Sequence, residues 1–167
     1  MKYRVLHVLL LLPLLLSCIG EGVENQSLPA PGDMVPGFEL TLEDGTRVTS
    51  AALSAGCFVL VFFNTSCADC RKTLPQVQLA MEKWPQVRFI AVSREQDAAS
   101  VRSYWDKEGL SIPFAPYEDR KVYSLFASSG IPRVYVCSRG GRIEAAWDDA
   151  PCPTFDDIDG ALVRIAL

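Results

Sequence analysis

The chain has 167 residues, of which 49% are hydrophobic, and a net charge of −4 at pH 7. This length and composition predict one globular domain with a sizeable core. No cluster of basic residues is present, so nucleic acid is not an expected partner. The single histidine, His7, lies near the amino terminus. Without that end, the chain has no histidine for a metal site, a Cys–His pair or a Ser–His–Asp triad.

The first 17 residues have the pattern of a secretory signal peptide. Lys2 and Arg4 form a short positive start, and residues 5–16 are almost entirely apolar. This apolar run is too short to span a bilayer comfortably, which takes about 20 residues. Removal of residues 1–17 would change the net charge from −4 to −6, because both positive charges leave with it.

The signal ends in the tetrapeptide Leu-Leu-Ser-Cys, which resembles the lipobox of bacterial lipoproteins. That resemblance implies that Cys18 is lipid-modified and becomes the new amino terminus; the alternative is an ordinary cleaved signal with an incidental cysteine. Residues 18–33 are polar, contain glycine and proline, and show no hydrophobic period, which predicts a flexible tether. Residues 34–167 are the expected domain.

The domain opens with a predicted β-hairpin, because residues 38–42 alternate between apolar and polar, and residues 47–49 follow a Glu-Asp-Gly turn signal. Residues 58–63, FVLVFF, are uniformly apolar, which is typical of a strand buried on both faces.

Helical and strand patterns alternate through the next sixty residues. Apolar residues recur at steps of three and four over residues 74–84 and again over 98–105, and residues 87–92 predict a strand between these two helices. A third, short helix is predicted around residues 122–126. Taken alone, these stripes indicate packing in a core.

The carboxyl-terminal part predicts a strand hairpin and a last helix. Residues 133–137 and 142–147 flank Gly140-Gly141, a dipeptide suited to a tight turn because glycine accepts positive φ. Residues 155–165 repeat the helical step. The whole order predicts an α/β fold with a central mixed sheet covered by helices on both faces.

Two cysteines, Cys67 and Cys70, follow the buried strand and lie at the expected start of a helix. A helix amino terminus offers unpaired N–H groups and a partial positive charge, both of which favour a thiolate. Cys67 is therefore the candidate nucleophile that attacks a substrate disulfide. Cys70, one turn inside the helix, is the candidate that resolves the mixed disulfide.

Two other interpretations of this pair stay open. One is an inert structural disulfide, although such bridges usually close longer loops. The other is a metal site, which needs two more ligands. The remaining cysteines of the domain, Cys57, Cys137 and Cys152, form no second pair with the required spacing, so no metal is expected.

Residues 62–75, FFNTSCADCRKTLP, resemble the active-site segment of thioredoxin-like proteins, and in particular the membrane-tethered TlpA/ResA type. Gly130-Ile131-Pro132, directly before a predicted strand, resembles the Gly-x-Pro of that family. The similarity covers residues 34–167. It implies a thioredoxin-like fold with an amino-terminal β-hairpin and an inserted helix near residues 97–108.

The resemblance also assigns roles at the site. It implies that the Ile131–Pro132 bond is cis and that the Ile131 backbone lies close to the Cys67 sulfur. In the family, the backbone at this position pairs with the substrate chain like a short added strand. Ile131 and Pro132 are therefore the expected substrate-binding residues, although an ordinary trans turn proline is the alternative.

The sequence departs from the family pattern at three positions. Ser66 stands where an aromatic residue is usual, Val61 where thioredoxins have a buried aspartate, and Thr73 where many ResA-like members have glutamate. The general base for Cys70 is therefore not assigned. Asp69 puts a negative charge beside the nucleophile, which predicts a reducing or middling potential; the alternative is that Arg71 balances this charge.

The predicted function is a thiol–disulfide oxidoreductase of the bacterial cell envelope, anchored by lipid and facing the periplasm, that uses no cofactor. The expected partners are disulfide-containing envelope proteins, with apocytochrome c as one candidate, and an upstream membrane thiol reductant. Cytochrome c maturation and general envelope thiol homeostasis are both contexts that the resemblance suggests.

Two other functions stay open at this point. A thiol peroxidase of the peroxiredoxin type would share the fold, but Asn64 stands where that motif has threonine. A redox-inactive binding module would explain the missing aromatic and acidic residues, but not the intact cysteine pair before an Ile-Pro dipeptide.

Overall fold

The computed structural model describes residues 28–166. The strands are β1 (Glu39–Thr41), β2 (Arg47–Thr49), β3 (Phe58–Phe63), β4 (Arg88–Ser93), β5 (Phe114–Ala115), β6 (Arg133–Cys137) and β7 (Ile143–Trp147). The helices are α1 (Ser50–Leu53), α2 (Ala68–Lys83), α3 (Ala98–Glu108) and α4 (Phe155–Val163), with a 3₁₀ turn at Tyr123–Leu125.

Five strands form a mixed central sheet in the order β5-β4-β3-β6-β7. The central strand β3 pairs in parallel with β4 and antiparallel with β6, while β4–β5 is parallel and β6–β7 antiparallel. Strands β1 and β2 form a separate antiparallel hairpin. The predicted α/β class, mixed sheet and amino-terminal hairpin are confirmed.

Strand β3 lies at the centre of the core, because all six of its side chains are buried. Successive side chains of a strand point to opposite faces. Val59, Val61 and Phe63 pack into the layer that contains α2, α3 and α4. Phe58 and Phe62 pack into the layer on the other face, which contains the hairpin and the 3₁₀ turn. Both faces of the sheet are therefore covered.

Three short elements differ from the sequence-based expectation. The predicted short helix is a 3₁₀ turn of three residues, and α1 and β5 have no counterpart in the predicted order. These two elements have four and two residues, too few for a hydrophobic period to be visible. Helix α3 is the predicted inserted helix, and Gly109 ends it in the left-handed conformation.

All five cysteines among residues 28–166 are free thiols. Cys57 contacts the core layer of α2, whereas Cys137 is buried in the layer on the opposite face of the sheet. These two thiols therefore cannot form a bridge in this fold. Cys152 lies in the loop between β7 and α4.

The predicted signal peptide, Cys18 and most of the tether lie outside the described residues. Near the beginning of the described part, the Gly32 N–H donates to the Ile143 carbonyl (2.8 Å) and the Ile143 N–H donates to the Asp33 carbonyl (2.9 Å). The domain boundary at residue 34 stays a prediction. Over residues 28–166, no helix has both the length and the apolar character that a bilayer crossing requires.

Candidate active site

Cys67 lies where β3 passes into α2, and it is the N-cap residue of that helix. Its backbone is extended (φ −78°, ψ 124°), so its side chain turns back over the first turn. The Cys67 Sγ accepts a hydrogen bond from the Cys70 N–H at 3.4 Å. This is one of the N–H groups that a helix leaves unpaired at its start, and such donors stabilise negative charge on sulfur. The thiol is partly exposed.

Cys70 lies one turn inside α2 and is fully buried. Burial raises the pKa of the Cys70 thiol well above its usual range, and a hydrogen bond from the backbone of Asn64 opposes only part of this effect. The two thiols therefore differ in kind. Cys67 can meet a partner from solvent, whereas Cys70 is a protonated thiol that only a neighbouring atom can reach.

The Ile131–Pro132 peptide is cis, as the resemblance implied, and Gly130 precedes it with φ 77°. The Cys67 thiol donates to the Ile131 carbonyl at 3.4 Å. The structure thus brings together all four residues for which sequence predicted a catalytic or substrate-binding role. It does not test the role of Ile131 and Pro132 toward a substrate.

Two side chains that sequence analysis missed hold the loops around Cys67. Gln96, just after β4, bonds to Thr65 in the loop that leads to Cys67. The Tyr123 hydroxyl donates to the Gly130 carbonyl at 2.7 Å, directly before the cis peptide. Neither residue belongs to a motif in the sequence, and Gln96 is 31 positions away from its partner. No local pattern could have identified either one.

The three departures from the family pattern have clear structural positions. Ser66 donates through its hydroxyl to the Asn64 side chain at 2.6 Å, and Val61 is buried in the core. Thr73 is buried, and its hydroxyl has no hydrogen-bond partner among the described residues. No side chain is assigned as the proton acceptor for Cys70.

The charge of Asp69 is balanced by Lys72, whose Nζ lies 2.9 Å from Asp69 Oδ1. The ion-pair partner of Asp69 is thus Lys72 rather than the suggested Arg71, because residues three apart on a helix share a face and residues two apart do not. Both partners are largely exposed, so solvent weakens the pair.

Metal ligation finds no support around the pair. Within residues 28–166, no three histidine, cysteine, aspartate or glutamate side chains are grouped so that they could hold a metal ion. Cys57 and Cys137, two of the cysteines available as further ligands, lie on opposite faces of the sheet.

Comparison with known proteins gives consistent matches. The model of the AhpC/TSA family matches residues 31–146. The thiol-disulfide oxidoreductase ResA of Bacillus subtilis is 25% identical over 114 residues, which are 67% of this chain and 64% of that protein. ResA of Halalkalibacterium halodurans is 22% identical over 121 residues, 71% of this chain and 69% of that protein. The alignment thus spans less than two thirds of the Bacillus subtilis relative.

A solved structure matches over nearly its whole length. The thiol:disulfide interchange protein of the thioredoxin family from Chlorobium tepidum has a TM-score of 0.68 and 19% identity. The match covers 83% of this chain and 98% of that one. At this identity the likeness shows the fold, which is thioredoxin-like.

Proposed function

The chain belongs to the AhpC/TSA family, and on that premise we propose that it is a thiol–disulfide oxidoreductase that reduces or exchanges protein disulfides through Cys67 and Cys70. The observation that carries this proposal is that the two thiols differ in solvent exposure and in hydrogen bonding. Cys67 is partly exposed at the start of α2 and accepts the Cys70 N–H, while Cys70 is buried one turn below. The similarity to two ResA proteins supports the same chemistry.

The reaction has two exchanges. The Cys67 thiolate attacks one sulfur of a substrate disulfide, the substrate S–S bond breaks, and the released thiolate takes a proton. Cys70 then loses its proton and attacks the Cys67 sulfur. The second substrate thiol leaves, and a Cys67–Cys70 disulfide remains. Two electrons pass from the protein to the substrate, so an external dithiol must reduce the pair before the next cycle.

The high pKa of Cys70 fits the second exchange. A buried thiol that stays protonated does not attack a mixed disulfide until its proton is removed, so proton removal has to accompany the second exchange. A chain without the Cys70 thiol cannot carry out that exchange and should keep the mixed disulfide.

The substrate chain is proposed to lie along the Ile131–Pro132 backbone. The Ile131 carbonyl already faces Cys67 at 3.4 Å, and Pro132 has no N–H, so the carbonyl is the group available there for a chain that adds as a short strand. The proposed substrates are disulfide-containing proteins of the cell envelope, apocytochrome c among them.

The proposed location is the bacterial envelope, with a lipid on Cys18 and the domain facing the periplasm. The amino-terminal pattern of residues 1–17 and the polar tether 18–33 support this proposal. An upstream membrane thiol reductant would then supply electrons. Mass spectrometry of the protein purified from bacterial membranes would detect a lipid on Cys18; an unmodified Cys18 would contradict the anchor.

The function is tested by trapping. Insulin reduction is measured with full-length wild type, Cys67→Ser and Cys70→Ser chains in the presence of a dithiol. Covalent complexes are measured with the same chains after they have been reduced and the dithiol has been removed, because free dithiol would cleave a mixed disulfide. We expect wild type to reduce insulin, Cys70→Ser to accumulate a covalent complex through Cys67, and Cys67→Ser to do neither. Cys57→Ser, which replaces a partly exposed cysteine directly before β3, at the opposite end of that strand from the pair, is the control and should behave like wild type.

Insulin reduction by Cys67→Ser at the wild-type rate would contradict the proposal. Wild-type reduction without any trapped complex from Cys70→Ser would contradict the roles of the two cysteines. Peroxide consumption is measured in parallel, and rapid peroxide turnover without insulin reduction would favour the thiol peroxidase instead.

A further inference from the structure

We propose that Gln96 is a positioning residue for the thiol exchange, because from the turn after β4 it holds the loop that leads to Cys67. The proposal rests on the proposed function for the meaning of the site. The contact joins the turn after β4 to the loop between β3 and α2, and these two loops are far apart in the sequence.

The Gln96 carboxamide makes two hydrogen bonds to one residue. Its Oε1 accepts the Thr65 N–H at 2.9 Å, and its Nε2 donates to the Thr65 Oγ1. Thr65 is two positions before Cys67, in the three-residue connection between β3 and the helix cap. Both polar atoms of the side chain are thus used to fix the path by which the chain enters α2.

The turn that carries Gln96 is itself fixed to the sheet. The Gln96 N–H donates to the Tyr117 carbonyl at 2.9 Å, and the Arg94 N–H donates to the Phe63 carbonyl at 2.9 Å. A second side-chain carboxamide makes the reciprocal contact, from the loop before Cys67 to the turn after β4. The Asn64 Nδ2 donates to the Arg94 carbonyl at 2.9 Å. The two loops are therefore joined by a side chain from each.

The backbone of this turn adopts a conformation that residues with a Cβ rarely take. Glu95, directly before Gln96, has φ 58°. Its carboxylate lies 3.2 Å from the Arg94 Nε and 3.6 Å from the Arg120 Nε. Such conformations persist where surrounding contacts determine them, and here those contacts place Gln96 against the loop that leads to Cys67.

The loop that leads to Cys67 determines the position of the reacting sulfur atom. The Cys67 Sγ lies 3.4 Å from the Cys70 nitrogen and 3.4 Å from the Ile131 carbonyl oxygen. Thiol exchange is sensitive to such distances, because small displacements of a reacting atom lower rates by large factors. Loss of the Gln96 contacts would free residue 65 and let the Cys67 sulfur move away from both partners.

The chain contains a matched control. Gln78, in the middle of α2, makes the same two bonds to Ser111: its Oε1 accepts the Ser111 N–H at 3.0 Å and its Nε2 donates to the Ser111 Oγ at 2.8 Å. Gln96→Met and Gln78→Met remove the same kind of contact from the same kind of partner, and Gln78→Met also removes a bond from Nε2 to the Glu82 carboxylate (2.8 Å). They differ in whether the partner precedes Cys67.

The test uses the full reduced chain and the small aromatic disulfide dithiobis(nitrobenzoate). The rate constant for modification of Cys67 is followed by mass spectrometry of its peptide. The equilibrium of the Cys67–Cys70 pair with glutathione is measured alongside. We expect Gln96→Met to lower the rate constant about tenfold and to shift the equilibrium, and Gln78→Met to stay within about twofold of wild type. Equal rate constants for the two variants would overturn the proposal.

Thr65→Val and Thr65→Ser give a second comparison in case Gln96→Met does not fold. Thr65→Val loses only the hydroxyl contact, so we expect a rate constant about threefold below that of Thr65→Ser, which keeps it. Equal values for this pair would also overturn the proposal. The reagent needs no protein substrate, so a failure to reduce insulin would count against the proposed function without affecting this comparison.

Discussion

Cys67 and Cys70 are three residues apart in sequence, yet the fold gives them different chemistry. Cys67 caps α2 and is partly exposed, and Cys70 is buried within the first turn. This difference follows from the helix itself, because the N-cap lies outside the first turn and the position three residues later faces the core. The sequence predicted this difference between the two cysteines, because the pair follows a buried strand and lies at the expected start of a helix.

Asp69 and Lys72 should tune the redox equilibrium of the pair in opposite directions. Asp69→Asn removes a negative charge near the Cys67 sulfur, which favours the thiolate and hence the reduced form. Lys72→Met removes the positive partner and favours the disulfide. Because both side chains are exposed, each shift should be about two- to fivefold in the equilibrium constant with glutathione.

Lys107→Met is the control, because Lys107 forms a similarly exposed pair with Glu108 on α3. It should leave the redox equilibrium unchanged, and the two active-site shifts should shrink as salt is added. Shifts of the same sign for Asp69→Asn and Lys72→Met would contradict this electrostatic account.

At the level of elements, the long strands and helices were predictable from their hydrophobic periods and the short β1–β2 hairpin from its turn signal, whereas α1 and β5 were not predicted. Strand β3 and helices α2, α3 and α4 bury enough apolar residues for their period to be visible in the sequence. The elements α1, β5 and the 3₁₀ turn form because neighbouring elements hold them, so their sequences carry little signal. The same reason explains the missed site residues Gln96 and Tyr123, whose partners come from other loops.

The β6–β7 turn offers a matched pair of glycines. Gly140 and Gly141 both have positive φ (91° and 84°), so alanine at either position should cost about 1–2 kcal/mol in unfolding free energy. A Cβ at 140 would meet nothing within 4 Å, whereas a Cβ at 141 would lie 2.5 Å from the Ser54 Oγ. Gly141→Ala should therefore cost at least about 1 kcal/mol more.

Urea unfolding of the two variants checks this expectation. The double variant Gly141→Ala with Ser54→Gly removes the atom nearest to the new Cβ and leaves only the Val35 Cγ2 contact at 3.2 Å, so it should recover most of the added cost of the 141 substitution, measured against Ser54→Gly alone. Equal losses from Gly140→Ala and Gly141→Ala would show that backbone conformation alone determines the effect.

At the scale of the whole molecule, the buried thiols make the unfolding free energy depend on pH in the alkaline range. Burial raises the pKa of Cys137 to about 12, whereas a thiol in the unfolded chain ionises near about 8.5. Between these values the folded state binds more protons than the unfolded state. The unfolding free energy should therefore fall as pH rises, by up to about 1.4 kcal/mol per pH unit for this thiol.

Cys137→Ala should remove that contribution and make the pH dependence of the unfolding free energy less steep between about pH 9 and 11, while the buried Cys70 thiol keeps its own share. Val136→Ala is the control, because it trims a buried neighbour that does not titrate. It should lower stability by a similar amount at every pH. Parallel pH curves for wild type and Cys137→Ala would contradict the linkage.

The position of Cys57 and Cys137 on opposite faces of the sheet has a consequence for folding in the presence of an oxidant. In the folded protein the sheet lies between these two sulfurs, so an oxidant could join them only if the sheet unfolded. A wrong disulfide between Cys57 and Cys137 can therefore form only before the sheet has folded. Faster folding of the sheet leaves less time for this wrong disulfide to form.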